Sequence, residues 1–334
     1  MSEPRRLVVR DAGLLASVQD LGRLGVGALG VSPSGAADWF SARAANRLVG
    51  NGDGCALIET TMNGATFEAI DPMTIAVTGA DAPLWIGGKR KHSWRSLRVE
   101  AGDRIAIGPP ASGLRSYLAV GGGVEVPEVL GSAATDVGGG FGGRRLATGD
   151  SLCVGAGSSE RFSECEFEPG AILALRPPLR LRAVAGPDAS RLGSAVVDEL
   201  FAHAFRGSTR SSRQGLRLEG LAITGGESDS ISAGVCAGCV QLPGDGSPIV
   251  LLAEHQTTGG YPVALCVITA DIPLAAQVRP GDEVRFERID RTGARDALTD
   301  AASRLRAVRA VATGATHDPD AARLGRGFAE GASS

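Results

Sequence analysis

Three segments of the sequence repeat one turn-and-strand pattern, and this repetition limits the folds open to the chain. In each, a Gly-Asp pair precedes residues in which apolar side chains alternate with polar or small ones. Because successive side chains of a strand point to opposite faces, the two-residue period predicts short strands with one buried face. Such strands between glycine- and proline-rich turns favour barrels or sandwiches over a parallel sheet wrapped by helices. The three segments are residues 99–107, 146–154 and 278–286.

A few segments show helical spacing of apolar residues instead. They predict a first helix that stops at Gly50, a second that begins at Asp188, and a third near the C-terminus, followed by a frayed tail. The predicted spans are residues 38–49, 188–202 and 298–312.

A change in composition near residue 168 predicts a division of the chain. A Ser- and Glu-rich stretch ends there, and new apolar strands begin. With 334 residues, the chain has enough material for two cores. We therefore predict an N-terminal half at 5–168, a C-terminal half at 169–290, and a terminal helix and tail at 291–334.

The composition excludes several classes of partner. With 34 basic and 37 acidic residues, the chain lacks the positive field that holds a polyanion, so no nucleic acid partner is expected. Its apolar runs are far shorter than the roughly 18 residues that a membrane-spanning helix needs. The charged N-terminus has no apolar signal region. We expect a cytoplasmic protein that does not enter a membrane.

Neither a phosphate loop nor a metal site is predicted. Lys89 is followed by Arg90, whereas a Walker A loop requires Gly-Lys and then Ser or Thr. Among six cysteines, only Cys236 and Cys239 are closely spaced, and the histidines show no ligand spacing relative to them. We expect these cysteines to be buried, reduced thiols in a strand.

Two glycine-rich segments have competing interpretations. Residues 25–30 match the letters of a dinucleotide fingerprint, but Pro33 follows where a helix should begin, so tight turns are expected. From Gly121 to Gly143, nine of 23 residues are glycine. This segment is either a surface loop or a set of backbone amides that binds an anion near a functional site.

An early polar cluster, residues 19–23, contains an amide, an acid and an arginine beside a permissive glycine. Arg23 could bind a carboxylate or phosphate with two parallel hydrogen bonds, or could form a salt bridge in a surface turn. Arg213 is a second candidate for the same role, with the same alternative.

A late polar cluster follows a buried strand, as expected at the mouth of a barrel. It brings acid, imidazole, amide and hydroxyl groups together, although a single histidine is more often structural than catalytic. The candidates are Gln241, Glu254, His255, Gln256, Thr257, Gly259, Gly260 and Tyr261.

Four motifs together resemble the carboxyltransferase-type family, which contains the C component of 5-oxoprolinase, KipA proteins, allophanate hydrolase subunit 2 and the urea carboxylase carboxyltransferase domain. The resemblance covers roughly residues 7 to 290. It implies a mainly β fold of two cyclophilin-like β-barrel halves with a few short helices. The motifs are residues 17–23, 34–38, 117–123 and 254–261.

The resemblance implies ATP-dependent opening of the 5-oxoproline lactam to glutamate by three cooperating proteins. ATP is then expected mainly on a partner, and the partners resemble the B component (KipI-like) and the A component of 5-oxoprolinase; homo-oligomerisation stays open. The expected catalytic residues are Asp20, Glu254 and His255, with no metal. The expected residues that bind the small amide substrate are Gln19, Arg23, Arg213, Gln241, Gln256, Thr257, Gly259, Gly260 and Tyr261.

Two other functions of the family stay open. One is transfer of a carboxyl group from carboxybiotin to urea or another amide. Neither Lys89 nor Lys91 lies between methionines, so no covalent biotin is expected on this chain and a separate carrier is required. The other is a non-catalytic module of the KipA type that binds a kinase-inhibitor partner.

Overall fold

The structure is a computed structural model that describes residues 5–156, 164–223 and 231–310. Strands hold 37% of the residues and helices 18%, so the predicted mainly β fold is confirmed. The predicted tail lies outside the described residues.

The strands are β1 (Arg5–Asp11), β2 (Leu15–Gln19), β3 (Leu57–Thr61), β4 (Thr66–Ala69), β5 (Met73–Asp81), β6 (Leu84–Ile86), β7 (Lys89–Lys91), β8 (Ser96–Val99), β9 (Arg104–Ile107), β10 (Ser112–Val120), β11 (Val124–Glu125), β12 (Ser151–Val154), β13 (Cys165–Phe167), β14 (Leu179–Ala185), β15 (Ala204–Gly207), β16 (Gly215–Glu219), β17 (Ala233–Gly234), β18 (Cys239–Gln241), β19 (Ile249–Leu251), β20 (Thr258–Gly259), β21 (Val263–Val267), β22 (Glu283–Arg288) and β23 (Val308–Ala310). The helices are α1 (Trp39–Leu48), α2 (Ala189–Leu192), α3 (Ser194–Ala202), α4 (Ile272–Ala276) and α5 (Arg291–Arg304).

The repeated Gly-Asp pairs form the turns that precede β9, β12 and β22. Each glycine has a φ between +86° and +94°, a conformation that favours glycine. Each aspartate Oδ2 accepts a hydrogen bond of 2.8 to 3.0 Å from the backbone N–H three residues earlier. The apolar residues of the three strands are buried, as the alternation predicts. The pairs are Gly102-Asp103, Gly149-Asp150 and Gly281-Asp282.

The N-terminal half consists of two sheets that pack face to face. One has the order β11-β12-β1-β4-β9-β6-β7, and the other has the order β2-β3-β10-β5-β8. Their facing sides form one apolar core, which includes Leu7 and Phe67 from the first sheet and Ile58, Ile75 and Leu118 from the second. This core positions the end of β2, where the early polar cluster begins.

The C-terminal half is a closed seven-stranded barrel. Its order is β14-β21-β18-β19-β16-β15-β22, and β22 pairs in parallel with β14 to close the ring. Leu181, Phe205 and Val250 are fully buried in its core. The late polar cluster begins just after β19, at the end of a barrel strand, as the sequence predicts.

The first predicted helix is confirmed as α1. The Asp38 side chain accepts a 2.9 Å hydrogen bond from the Ser41 backbone N–H and caps the helix start. Gly50 lies after its end with a φ of +76°. The second predicted helix is two helices, α2 and α3, because Gly193 interrupts it with a φ of +88°.

The third predicted helix is shifted. It is α5, which begins at Arg291 and ends at Arg304. The prediction of helix up to residue 312 is therefore wrong beyond α5, because Val308–Ala310 forms a strand that pairs with Cys165–Phe167. No helix among the described residues is long and apolar enough to cross a membrane.

Candidate functional site

A glycine-rich segment, residues 129–143, connects the two polar clusters and is called the bridging loop. It is ordered rather than an open surface loop, because residues 132–136 are buried. The Asp136 N–H donates to the Phe141 carbonyl at 2.9 Å, which closes a turn in the loop. One side of the loop contacts Arg23, and the other contacts Glu254.

Asp20 fixes the bridging loop in place. Its carboxylate accepts hydrogen bonds from the Ser132 hydroxyl at 2.7 Å and from the Ala133 N–H at 2.8 Å. It also accepts one from the Gly22 N–H at 2.7 Å. Both oxygens thus accept hydrogen bonds, so Asp20 positions the loop, and its expected catalytic role stays a prediction.

Arg23 is a buried guanidinium without a carboxylate partner. The residue is 1% exposed, and among the described residues it forms no ion pair. Its Nε donates to the Val129 carbonyl at 3.3 Å and its Nη2 to the Ala134 carbonyl, while Nη1 has no partner. The Phe141 ring centroid lies 4.9 Å from its Cζ. A buried cation held only by neutral groups is costly unless an anion joins it.

Two neutral groups beside the same loop also lack partners. The Gln19 Nε2 donates to Ser17 Oγ at 2.9 Å and to the Thr135 carbonyl at 3.0 Å, but its buried Oε1 accepts nothing. The buried Thr135 hydroxyl is likewise unpartnered. Thr135 lines a cavity of about 340 Å³. Val129, whose carbonyl accepts the Arg23 Nε–H, also lines this cavity, but Arg23 and Gln19 lie behind its wall.

Arg213, the other predicted anion-binding arginine, is already engaged. Its Nε donates to Glu254 at 2.6 Å, its Nη1 to Glu59, and its Nη2 to the Gly35 carbonyl at 2.5 Å. Burial lowers the pKa of Arg213, but the charges of Glu59 and Glu254 outweigh it and raise this pKa. In this structure Arg213 joins the two halves of the molecule, and its expected role in binding the substrate stays a prediction.

Glu254 is a fixed acceptor as well. Besides Arg213, it accepts hydrogen bonds from the N–H groups of Val137 at 3.0 Å and Gly138 at 3.1 Å. Both carboxylate oxygens have donors, so Glu254 has a positioning role in this structure, and its expected role in moving a proton stays a prediction. Glu254 holds the far side of the bridging loop against the barrel.

A buried polar network, which no pattern in the sequence predicts, lies behind Arg213. Glu59 accepts hydrogen bonds from the Tyr117 hydroxyl and the Ala37 N–H, each at 2.9 Å. Burial raises the pKa of Glu59, but the charges of Arg213 and Arg115 outweigh it and lower this pKa. The only signal in the sequence is an isolated acid in the buried strand β3, which alternation alone does not single out.

The junction of the halves contains a second cavity, of about 500 Å³. Arg115, Arg213 and Glu254 contribute its buried charged groups, and most of its other lining is apolar. Glu59 and Glu254 neutralise Arg115 and Arg213, whereas Arg145, which also lines the cavity, has only a 3.2 Å hydrogen bond to the Leu14 carbonyl among the contacts of the described residues. Among the described residues, no group of acidic, His and Cys side chains is arranged to hold a metal ion.

The remaining late residues form a polar rim on the barrel. The Gln256 Nε2 donates to the Gln241 Oε1 at 3.0 Å, and the Gln241 Nε2 to the Tyr261 carbonyl at 3.5 Å. His255 is buried, with Nδ1 at 2.7 Å from the Gln256 carbonyl. Gly259 is packed closely against Gln241, whereas Gln256 and Tyr261 are exposed. Thr257 and Gly260, also in this rim, are half-buried.

The early and late clusters lie on the same side of the molecule. The Ser32 hydroxyl donates to the Ala253 carbonyl at 3.4 Å. A Cβ at Gly27 would lie 4.0 Å from the Thr257 methyl group. The site thus contains one buried unpaired cation, two unpartnered neutral groups and a nearby polar rim, which together suit a small anionic ligand with amide character.

Comparison with known proteins supports a family assignment. The family model described as "Carboxyltransferase domain, subdomain A and B" matches residues 29–288. The C component of the Escherichia coli K12 5-oxoprolinase is 38% identical over 291 residues, which cover 84% of this chain and 90% of that protein. Such relatives are enzymes or enzyme components.

Comparison with solved structures supports the same family assignment. The crystal structure of the Kluyveromyces lactis urea amidolyase matches with a TM-score of 0.81 at 26% identity, over 91% of this chain and 20% of that one. The crystal structure of TTHA0988 matches with a TM-score of 0.75 at 34% identity, over 86% of this chain. This chain spans only 56% of TTHA0988.

Proposed function

Because the chain belongs to the carboxyltransferase domain family with subdomains A and B, we propose that it is the substrate-holding component of an ATP-dependent 5-oxoprolinase. The buried, unpaired guanidinium of Arg23 carries this proposal. Its ligand is the carboxylate of 5-oxoproline, an anion small enough for the adjoining cavity.

The neutral groups beside Arg23 complete the recognition of the lactam. Gln19 Oε1 accepts the lactam N–H, and the Thr135 hydroxyl donates to a substrate oxygen; both atoms are buried and unpartnered without a ligand. A buried polar atom left without a partner costs about 1–3 kcal/mol, so occupancy by the substrate recovers this free energy. The exposed rim residues Gln256 and Tyr261 lie at the surface, where a partner protein can contact them.

ATP binding belongs to a partner protein in this proposal. The lactam amide is a poor electrophile, and phosphorylation of its oxygen would make that oxygen a leaving group for attacking water. The two buried arginines of the junction cavity, Arg115 and Arg213, are already neutralised, which leaves only the more exposed Arg145 to face a triphosphate there. We therefore assign no ATP-dependent step to residues of this chain.

Reconstitution tests the proposed activity. The full chain is mixed with proteins that resemble the A and B components of 5-oxoprolinase, ATP and 5-oxoproline, and glutamate and ADP are measured. We expect equal amounts of glutamate and ADP, with neither formed when this chain is omitted. Full activity without this chain would contradict the proposal.

Carboxyl transfer to urea is a second candidate, favoured by the structural match to a urea amidolyase. Such a reaction would need a separate biotinylated carrier. The same mixture, supplied with urea and a carrier protein already loaded with carboxybiotin, separates the two functions. Carrier-dependent consumption of urea, with no glutamate from 5-oxoproline, would support this second function and exclude the first.

A further inference from the structure

Three cysteines meet on the barrel, away from the contacts of Arg23. Cys239 begins β18, and Cys266 lies directly opposite it on β21. Cys236 precedes them in a turn closed by a hydrogen bond of 3.1 Å from the Cys239 N–H to the Cys236 carbonyl. The Cys236 and Cys239 sulfur atoms are 3.6 Å apart. All three are free thiols.

The members of this thiol cluster differ in exposure and in charge. Cys236 is exposed, Cys266 half-buried and Cys239 buried. The prediction of a buried thiol in a strand is therefore confirmed for Cys239 and wrong for Cys236, which lies in the turn before β18. Side-chain hydrogen bonds from Cys236 and from Cys266 lower the pKa of Cys239, and the nearby His255 acts in the same direction. The pKa values of Cys236 and Cys266 are raised by their hydrogen bonds to Cys239. These contacts favour the thiolate at Cys239 over those at its two neighbours, and thiol reactivity follows the thiolate.

A metal is not the better explanation of the cluster. No group of three or more metal-ligating side chains in the described part of the chain is arranged around a common ion. The sulfur pair instead needs only a modest approach to reach the disulfide length of about 2.05 Å. The exposed turn that carries Cys236 can supply this movement, because only its end at Cys239 belongs to a barrel strand.

We propose that Cys236 and Cys239 form a peroxide-reactive dithiol that closes a reversible disulfide. The Cys239 thiolate attacks one oxygen of hydrogen peroxide, the O–O bond breaks, and Cys239 becomes a sulfenic acid as hydroxide leaves and takes up a proton. The Cys236 sulfur then attacks the Cys239 sulfur, and the S–O bond breaks. Water leaves with the Cys236 proton, so two thiols and one peroxide give one disulfide and two waters.

The disulfide would act on the polar rim. The Val235 N–H, next to Cys236, donates to the Thr257 carbonyl at 3.1 Å. The short strand before it, Ala233–Gly234, pairs with Thr258–Gly259. Closing the Cys236–Cys239 bond therefore pulls on the backbone that carries Thr257, which gives oxidation a direct route to the candidate site.

Mass spectrometry tests the proposal with the full chain. The reduced protein is treated with a small excess of hydrogen peroxide at pH 6.5, where an ordinary thiol with a pKa of about 8.5 is only ~1% thiolate. We expect the peptide that contains Cys236 and Cys239 to lose two hydrogens before Cys55 or Cys153 reacts. Dithiothreitol should restore the original mass.

Matched variants sharpen the test. In Cys236→Ser combined with Cys266→Ser, we expect no disulfide and a sulfenic acid at Cys239 that dimedone traps, whereas Cys153→Ser should behave as the wild type. Two results would overturn the proposal: Cys236 and Cys239 both stay open to alkylation after peroxide treatment, or the purified protein carries one zinc ion per chain that these cysteines hold.

Discussion

Two buried arginines show how the same residue type takes opposite roles. Arg213 is paired with Glu59 and Glu254, whereas Arg23 has only carbonyl groups and an aromatic ring around it. A buried cation is tolerated when a carboxylate neutralises it, and it otherwise favours an incoming anion. The sequence predicts both arginines as candidates, because only the tertiary structure shows which one meets carboxylates.

We expect Arg213→Met to destabilise the fold strongly. The change leaves Glu59 and Glu254 buried without their shared cation, which typically costs about 3–5 kcal/mol. Urea denaturation at pH 7 measures the loss. The control Arg98→Met removes the exposed pair with Glu100 and should change the free energy of unfolding by less than about 1 kcal/mol. Equal effects of the two variants would contradict the assigned role of Arg213.

The same ion network predicts a dependence of stability on pH. The pKa of Glu59 is lowered in the folded state, so its contribution to stability is complete above the unfolded value of about 4.3 and is lost as pH falls through the folded pKa. We expect the wild type to lose stability in acid and Arg213→Met to lose less. Unfolding midpoints measured in steps from pH 7 to about pH 3 provide the comparison, because the loss lies below the unfolded pKa. An equal loss in both proteins would contradict this role of Glu59.

Among the elements of the structure, the bridging loop fixes the positions of Arg23 and Glu254 in the candidate site. Two of its glycines, Gly140 and Gly142, both have a positive φ but differ in the space around them. A Cβ at Gly142 would lie 2.4 Å from Arg23 Nη2 and from the Ala134 carbonyl, whereas a Cβ at Gly140 would meet nothing within 4 Å. The glycine count predicts an unusual loop, but which glycine carries a steric constraint depends on contacts between distant segments.

We expect Gly142→Ala to weaken substrate binding, because the added methyl group must displace the Arg23 guanidinium. Gly140→Ala is the control, since it carries the same backbone cost at positive φ in the same loop. The KM for 5-oxoproline in the reconstituted complex is the measurement. It should rise about tenfold or more for Gly142→Ala relative to Gly140→Ala, given 1.5–3 kcal/mol for a hydrogen bond to a charged group. Equal KM values for the two variants would show that the contact between the bridging loop and Arg23 does not affect substrate binding.

For the whole molecule, the C-terminal segment joins the N-terminal half to the barrel. The family match ends at residue 288, yet α5 and β23 follow it and pack on both halves. Leu305 is 1% exposed in a cluster with Phe40 and Phe167 of the N-terminal half. Ala297 and Ala301 pack beside Ile268, which follows β21 of the barrel.

We expect Leu305→Ala to cost about 2–5 kcal/mol of unfolding free energy, because it leaves a cavity in a fully packed cluster. Leu298→Ala is the matched control in the same segment, since Leu298 is 41% exposed, and it should change stability by no more than about 0.5 kcal/mol. Thermal unfolding of both variants measures the difference. A small effect at Leu305 would show that the segment is only loosely attached.

Local patterns predicted most of the fold but little of the junction. The Gly-Asp turns and α1 depend on interactions between residues close in sequence, so the local sequence predicts them. The end of α5 was misplaced because Val308 pairs with a strand far away in the chain. The partnership of Arg213 with Glu59 joins residues of different halves, and no local spacing encodes it.

The most direct measurement compares two substrates in the reconstituted complex: 5-oxoproline and 2-pyrrolidinone, the same lactam without the carboxylate. For Arg23→Gln, we predict a kcat/KM for 5-oxoproline that is about tenfold to a hundredfold lower, with no change for 2-pyrrolidinone and partial recovery in Arg23→Lys. If Arg23→Gln lowers kcat/KM equally for both lactams, or for neither, then the guanidinium does not bind the substrate carboxylate.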